Sequence, residues 1–364
     1  MMKITAAIAR EPGQDFSIEA CELGEPGPGE VLVKVESCGI CHTDIAARNQ
    51  DMPVPLPAVL GHEGVGCIEK LGEGVSDYQV GDRVLMSFGS CGQCGNCNTG
   101  APGYCDNGLA YFVGMRLDGS SPVSQNGKPM TGHFFAQSSF ANYCVASTVN
   151  LVKLDDSLPA ELMAPLACGV QTGMGAVLLA MKAQANKSLV VIGCGTVGLA
   201  AIIAGKIAGC DPIIAVDLME SRLELASELG ATHIINGAEG NLTEQLLALG
   251  GANYVLDTTG VPQVISSAID GMKKQGHMVL VGVGKPETKL NFDMNMFMMT
   301  GKKLEGVIEG NAVPAEFVPQ MIEYYRNGQL PLEKLVTSYP FTAINQAVAD
   351  MHSGKAVKAV LKMA

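Results

Sequence analysis

A chain of 364 residues exceeds one ordinary core, so two domains are expected. It is 47% hydrophobic with 44 glycines and only 16% charged residues, a composition that suits an α/β protein with many tight turns. The net charge of −12 argues against a nucleic-acid partner, because binding a phosphate backbone demands a basic face.

The N-terminal run Met1-Met2-Lys3-Ile4-Thr5-Ala6 has no charged segment leading into an apolar one, so no secretory signal is expected. No apolar run approaches the length of a membrane span, and no membrane partner is expected. Twelve cysteines in a chain of this size read as metal ligands or reduced core residues rather than disulfides, which makes the cytoplasm the expected compartment.

Residues 1 to about 37 alternate in the β manner, with Val31-Leu32-Val33-Lys34-Val35 following the turn Pro26-Gly27-Pro28-Gly29. The stretch from Cys38 to Gly66 then brings Cys38-Gly39-Ile40-Cys41-His42-Thr43-Asp44 and, after a Pro-rich connector, Gly61-His62-Glu63-Gly64-Val65-Gly66. Thiolate and imidazole are ligands zinc prefers, and a catalytic zinc takes three protein ligands with one open position. Cys41 and His62 supply two of the three. Thr43 places a hydroxyl two residues from the thiolate, and Asp44 and Glu63 are candidates to orient the imidazole through its other nitrogen. A buried cysteine and a satisfied histidine on a turn is the alternative reading. Further short strands, Cys67 to Leu71 and Val80 to Leu85, imply an irregular all-β barrel or sandwich for this part of the chain.

Cys91, Cys94, Cys97 and Cys105 follow in the pattern C-x2-C-x2-C-x7-C, with Gly92, Gly95 and Gly100 letting the backbone wrap an ion. Four thiolates this close make a closed tetrahedral zinc site; an iron–sulfur cluster is the competing reading. Residues 106–139 are polar and Gly-rich and read as an extended loop or lobe, whose aromatics line a pocket or serve as satellite core. Phe140 to Val149 reads as a strand, and Met163 to Gly169 opens a helix.

A different regime begins near residue 170. Ser188 to Ile192 is a continuous apolar run, as for a strand buried on both faces. Gly193-Cys194-Gly195-Thr196-Val197-Gly198 follows, then the helical Leu199 to Ala208, then Pro212 to Val216 ending at Asp217, nineteen positions past the last glycine of the motif. G-x-G-x-x-G between strand and helix with an acid at this distance is the dinucleotide fingerprint: the glycines admit the pyrophosphate and the acid meets the ribose hydroxyls. Strand and helix keep alternating through His233–Ile235, Tyr254–Asp257, Met278–Val283 and Leu304–Ile308, giving a doubly wound parallel sheet. Met294 to Met299 reads as a packed helix without a cofactor role. Helices from about Pro314 to Asn327 and Ile344 to His352 and a strand Ala356 to Lys362 close the chain.

Together these motifs resemble the zinc-dependent medium-chain alcohol dehydrogenases over essentially the whole chain. The resemblance implies α/β architecture: a Rossmann domain over 170–309, plus a GroES-like catalytic domain over 1–169 completed by 310–364. It puts Cys41, His62 and Cys168 on a catalytic zinc with Glu63 behind it, the four-cysteine loop on a structural zinc, and the active cleft between the domains. It sets Gly193, Gly195, Thr196, Val197, Gly198, Asp217, Arg222, Thr172, His42, Val281 and Lys358 along NAD. Phe88, Phe134, Phe135 and Met52 are the expected substrate pocket. The segments Phe134 to Ala141 and Gly306 to Gly310 are most similar to aryl-alcohol dehydrogenases, implying an aromatic or allylic primary alcohol and its aldehyde as substrates, and the family implies a homo-oligomer, dimer or tetramer. Two positions depart from the pattern: Ala46 stands where liver-type members carry a proton-relaying histidine, and Lys358 replaces an arginine. A glutathione-linked formaldehyde dehydrogenase, with Arg116 and Lys128 as its only nearby basic groups, and a non-catalytic NAD- or zinc-binding protein are the rival readings.

Overall fold

The computed structural model describes residues 1–284 and 287–363. The chain divides into two compact units, Met1–Cys168 with the segment from Val313 onward, and Gly169–Ala312.

The first unit is built from two largely antiparallel sheets. One has the order Ala58–Val59, Met2–Ala9, Ser17–Leu23, Val123–Gln125, Lys128–Pro129. Alternation drives it: in Met2–Ala9, Lys3 and Thr5 are exposed while Ile4 and Ala6 are buried. The other runs Leu151–Lys153, Arg83–Met86, Gly64–Leu71, Glu30–Gly39, Lys358–Lys362, Val336–Pro340, with Tyr143–Ser147 also paired to Glu30–Gly39. Its central strand places the chemistry. Glu30–Gly39 runs antiparallel to Gly64–Leu71, with register shifts at Leu32/Val33 and Val35/Ser37, so that Cys38 faces Gly64. The exit of one strand into Cys41 and the entry to the other from His62 and Glu63 therefore fall at the same sheet end. Lys358–Lys362 also runs antiparallel to Glu30–Gly39, with Val360 opposite Gly39, which carries Lys358 to that same end. The close pairing depends on Gly66, where a Cβ would come 2.1 Å from the Lys34 carbonyl oxygen. Ile8, Leu23, Ile40, Leu60, Phe134 and Phe140 fill the core beneath. Helix α1 (His42–Asn49) leaves directly from Cys41.

The second unit is a six-stranded parallel sheet: β1 (Leu189–Ile192), β2 (Ile213–Asp217), β3 (His233–Asn236), β4 (Ala252–Asp257), β5 (Met272–Leu280) and β6 (Lys303–Gly306), in the order β3-β2-β1-β4-β5-β6. All four residues of β1 are buried, which explains its unbroken apolar sequence. Helix α2 (Gly169–Gly175) precedes the sheet and passes into a π-helical turn at Ala176–Ala180. Helix α3 (Thr196–Ile207) follows β1 through the glycine-rich loop, and α4 (Met294–Thr300) precedes β6. No single helix among the described residues is long and apolar enough to cross a membrane.

The structure corrects three sequence expectations. The strand expected over Phe140–Val149 is confined to Tyr143–Ser147, because Phe140 instead packs its ring in the core and Thr148–Asn150 turns as a short 3-10 helix. The strand expected from Met278 begins at Met272, with a register irregularity near its start. The methionine-rich segment is a helix, capped by Asp293 accepting from Met296 N at 2.9 Å, but it is not packed: Met294, Met296, Met298 and Met299 are 55–75% exposed and only Phe297 reaches the core.

Candidate active site

Cys41, His62, Glu63 and Cys168 each present a donor atom within 4.8 Å of the others. Cys41 precedes the first turn of α1, and Asp44 within that turn is fully buried. One Asp44 oxygen accepts from Cys41 N at 2.9 Å; the other accepts from Gly61 N at 3.0 Å and lies 2.9 Å from His62 Nδ1. That contact fixes the ring so that Nε2 turns toward the sulfurs. His62 Nε2 is buried and has no hydrogen-bond partner among the described residues, as a ring nitrogen reserved for a metal should be. Two sulfurs and one imidazole nitrogen are the donor set of a zinc site that keeps a position open. The residues fit. A hydrogen bond from Cys168 draws the Cys41 thiol well below its usual range against the cost of burial. Burial opposes charge on His62, but Asp44 and Cys41 outweigh it and raise the imidazole. Zinc takes the sulfurs as thiolates and the imidazole as its neutral form, so metal binding here is linked to proton release.

Glu63 and Lys358 lie behind the ligands. Lys358 Nζ donates to Glu63 Oε1 at 2.6 Å and to the Ile40 carbonyl at 2.9 Å. Burial works against the ammonium, yet the charges of Glu63 and Cys41 raise its pKa. This corrects the expected contact between Lys358 and the cofactor phosphates: at 1% exposed and bound to Glu63, the ammonium is part of the support of the metal cluster.

Thr43 is half-buried with its hydroxyl 3.6 Å from Cys41 Sγ, while His42 is exposed. Ala46, one turn further along α1, is 6% exposed and offers no proton carrier. The aromatic residues separate. Phe135 stacks on the His62 ring at 4.6 Å and is flanked by Phe112 at 5.7 Å. Phe134 meets the ring edge-on, but it is fully buried and belongs to the core, not to an accessible pocket. Phe88 lines a separate cavity of about 310 Å³ beside the four-cysteine loop, and Met52 is buried at the end of α1. Sequence reasoning missed Gln137. Its buried amide donates to the carbonyls of His62, Met86 and Ser87 at 2.9–3.0 Å and accepts from Gly64 N at 3.1 Å, clamping the loop that bears His62. Followed by Ser138 and Ser139, between Phe135 and Phe140, it reads as one polar loop residue among several, with no motif to single it out.

The sulfurs of Cys91, Cys94, Cys97 and Cys105 also lie within 4.8 Å of one another. Backbone N–H groups already point at them, Cys91 N to Cys105 Sγ at 3.2 Å and Asp106 N to Cys94 Sγ at 3.4 Å. Burial raises the Cys91 thiol, but donors from Gln93, Asn107 and Cys94 outweigh it and bring it down to about 6. Four sulfurs fill a tetrahedron, so this loop fits a closed zinc site. All twelve cysteines are free of disulfides.

In the second unit Gly193 adopts φ 89° and Gly195 caps α3, so Thr196, Val197 and Gly198 form its first turn. Asp217 at the end of β2 accepts from Cys194 N at 2.6 Å and from Met219 N at 2.9 Å, which ties the acid to the glycine loop. Arg222 is 7% exposed, in electrostatic contact with Asp217 and Cys194. A cavity of about 710 Å³ is lined by Gly193, Asp217, Leu218, Asn241, Thr259 and Val261, among others, with no Lys or Arg among the described residues of its wall. Leu218, Asn241 and Val261 had no motif to announce them. Val281 follows β5 and donates its N–H to the Asp257 carbonyl at 3.0 Å. Thr172 lies in α2, its hydroxyl 3.4 Å from Glu309 Oε2.

The alcohol dehydrogenase GroES-like domain family matches residues 27–156, and the zinc-binding dehydrogenase family matches residues 196–326. A geraniol dehydrogenase of Castellaniella defragrans is 40% identical over 361 residues, 98% of this chain and 96% of that protein. The chain belongs to the zinc-containing alcohol dehydrogenases. Two solved members of this family align along it with sequence identity above 40%. An alcohol dehydrogenase zinc-binding domain protein from Burkholderia ambifaria has a TM-score of 0.97 at 43% identity, covering 100% of this chain and 99% of that one. Benzyl alcohol dehydrogenase from Acinetobacter calcoaceticus has a TM-score of 0.96 at 42% identity, covering 100% of both. As a zinc alcohol dehydrogenase it acts on small alcohols and aldehydes. Arg116, the basic residue that a glutathione carboxylate would need, is held in a two-pronged ion pair with Glu30 at 2.6 and 2.8 Å, and Lys128 is exposed on a hairpin.

Because Asp44 holds the His62 ring from behind, Asp44→Asn should weaken zinc at this site roughly 10- to 100-fold. Competition against a graded series of chelators reads this directly. Unchanged retention of zinc by the variant would show that the ring needs no such support.

Proposed function

We propose that the enzyme interconverts aromatic or allylic primary alcohols and their aldehydes, with NAD as the redox partner. The observation that carries the substrate class is the Phe112–Phe135 pair set against the His62 ring, an aromatic wall beside the cluster that holds zinc. The relatives support it, since one is a geraniol dehydrogenase, named for an allylic alcohol, and another a benzyl alcohol dehydrogenase. For the cofactor, Asp217 would accept hydrogen bonds from the ribose hydroxyls and repel a 2′-phosphate; Arg222 sits beside it, 7% exposed, but no Lys or Arg among the described residues lines the cavity itself to receive that phosphate.

When bound, zinc supplies Lewis acidity toward the alcohol oxygen and the nicotinamide supplies the hydride acceptor. The chain does the rest. Cys41, His62 and Cys168 hold the metal, and Asp44 and the Glu63–Lys358 pair hold the ligands. Thr43 Oγ accepts the alcohol proton as the carbonyl forms. With Ala46 beyond it, the proton passes on to water, a ribose hydroxyl or the exposed His42. Twelve cysteines without a disulfide suit the cytoplasm.

A panel of alcohols ranked by kcat/KM with NAD and NADP tests this reading. Benzyl alcohol and an allylic alcohol should exceed ethanol, NAD should exceed NADP, and Asp217→Gly should narrow the cofactor preference. Ethanol at the head of the ranking removes the substrate class; NADP equal to NAD removes the cofactor assignment.

We also propose a homo-oligomer that covers the exposed face of α4, since Met294, Met298 and Met299 each leave 70% or more of their surface to water beside Phe292, which is 43% exposed. Replacing Met298 and Met299 by Glu should lower the mass found by sedimentation while the monomer stays folded. An unchanged mass places the contact elsewhere.

A further inference from the structure

Glu309 lies in a turn that no part of the mechanism uses. Three consecutive residues, Glu309, Gly310 and Asn311, have φ of 51°, 69° and 55°. Left-handed backbone is costly for Glu, and such strain persists only where surrounding contacts over-determine it. Both Glu309 and Gly310 are held against α2. The Glu309 carboxylate is 9% exposed, and its Oε2 accepts from Gln171 Nε2 at 3.3 Å and from the Thr172 hydroxyl at 3.4 Å. The backbones touch as well: a Cβ on Gly310 would lie 2.6 Å from the Gln171 carbonyl oxygen, and one on Gly175 would lie 2.5 Å from the Gly310 carbonyl oxygen.

The other side of α2 is equally constrained. A Cβ on Gly173 would lie 2.0 Å from the Val197 carbonyl oxygen and 3.0 Å from Ala200 Cβ. Val197 is in the first turn of α3, immediately after the glycine-rich loop. So α2 is a short helix with glycine facing the dinucleotide loop on one side and the strained turn on the other. Glu309 tethers the helix to that turn through two of its side chains at once. The helix passes at Ala176 into a π-helical turn, a form common at functional sites, so its backbone hydrogen bonding changes spacing just beyond the clamp.

We infer that Glu309 is a positioning residue for the cofactor: its carboxylate, presented by the left-handed turn, fixes Gln171 and the Thr172 hydroxyl of α2 against the dinucleotide loop. The inference rests on the proposed NAD reading and adds the residue that sets one wall of that site. Both donors converge on one acceptor oxygen, so an amide oxygen in the same place keeps the tether, whereas a methyl group loses it.

The test is steady-state kinetics and NADH titration of the wild-type enzyme, Glu309→Gln and Glu309→Ala, with zinc content and Tm recorded for each. Glu309→Ala should raise KM for NAD and Kd for NADH roughly tenfold, the loss of the shared acceptor of two hydrogen bonds, with KM for the alcohol and zinc content unchanged. Glu309→Gln should restore most of that loss. If Glu309→Ala fails to fold, Gln171→Met removes one of the two donors without touching a residue placed along the cofactor, and should raise the same constants. Unaltered NADH affinity in the Ala variant overturns the inference, as does a general fall in kcat and Tm that Gln does not rescue. Failure of the wild-type enzyme to bind NADH would overturn the NAD reading and the inference together; normal wild-type binding with unaffected variants overturns the inference alone.

Discussion

One buried carboxylate joins the two halves of the metal site. Asp44 reaches Cys41 N, Gly61 N and His62 Nδ1, spanning 18 residues of sequence to the imidazole. Ionised carboxylates are expensive to bury, and only close donors offset that cost. All three donors here belong to the segments that carry ligands, so the carboxylate can stay buried only while Cys41 and His62 are in register. The antiparallel pairing of Glu30–Gly39 with Gly64–Leu71 brings the segments to one end of the sheet, and Asp44 fixes their distance and the tautomer of the ring.

A second buried pair makes the C-terminal strand part of the same construction. Glu63 and Lys358 meet at 2.6 Å across 295 residues of sequence. Removing either partner would leave the other charge buried and unpaired, which costs several times what the pair contributes when intact. Gly39 completes the arrangement, since a Cβ there would lie 2.1 Å from Glu63 Oε2. Support for the metal thus comes from three stretches of the first unit, and none of them supplies its role from local sequence alone.

The chemistry was legible where residue type dictates it. Sulfur and imidazole donors announced the four-cysteine cluster and the Cys41–His62 half of the other, whose third ligand Cys168 came only with the family resemblance, and the glycine loop with Asp217 announced the dinucleotide fold. Partnerships between distant residues were not legible. Lys358 read as a phosphate contact because nothing near it in sequence shows that Glu63 lies opposite. Phe134 and Phe135 are adjacent, yet one is core and the other faces the imidazole, a division set by the left-handed turn at Phe135, with φ of 51°. The methionines of α4 read as packed because hydrophobicity does not say whether the covering surface lies within the chain. Glu309 falls in a segment that carried the subfamily resemblance, but its tether to α2 was not legible, since a glutamate in left-handed backbone looks like any other.

Metal analysis during timed exposure to a chelator tests the central claim, that one zinc site is open and catalytic and the other closed and structural. Two zinc ions are expected per freshly purified chain. The first should leave together with alcohol oxidation while Tm is largely kept, and the second should leave only as the fold is lost. One ion or none at the start, or activity that survives loss of the labile ion, would contradict it.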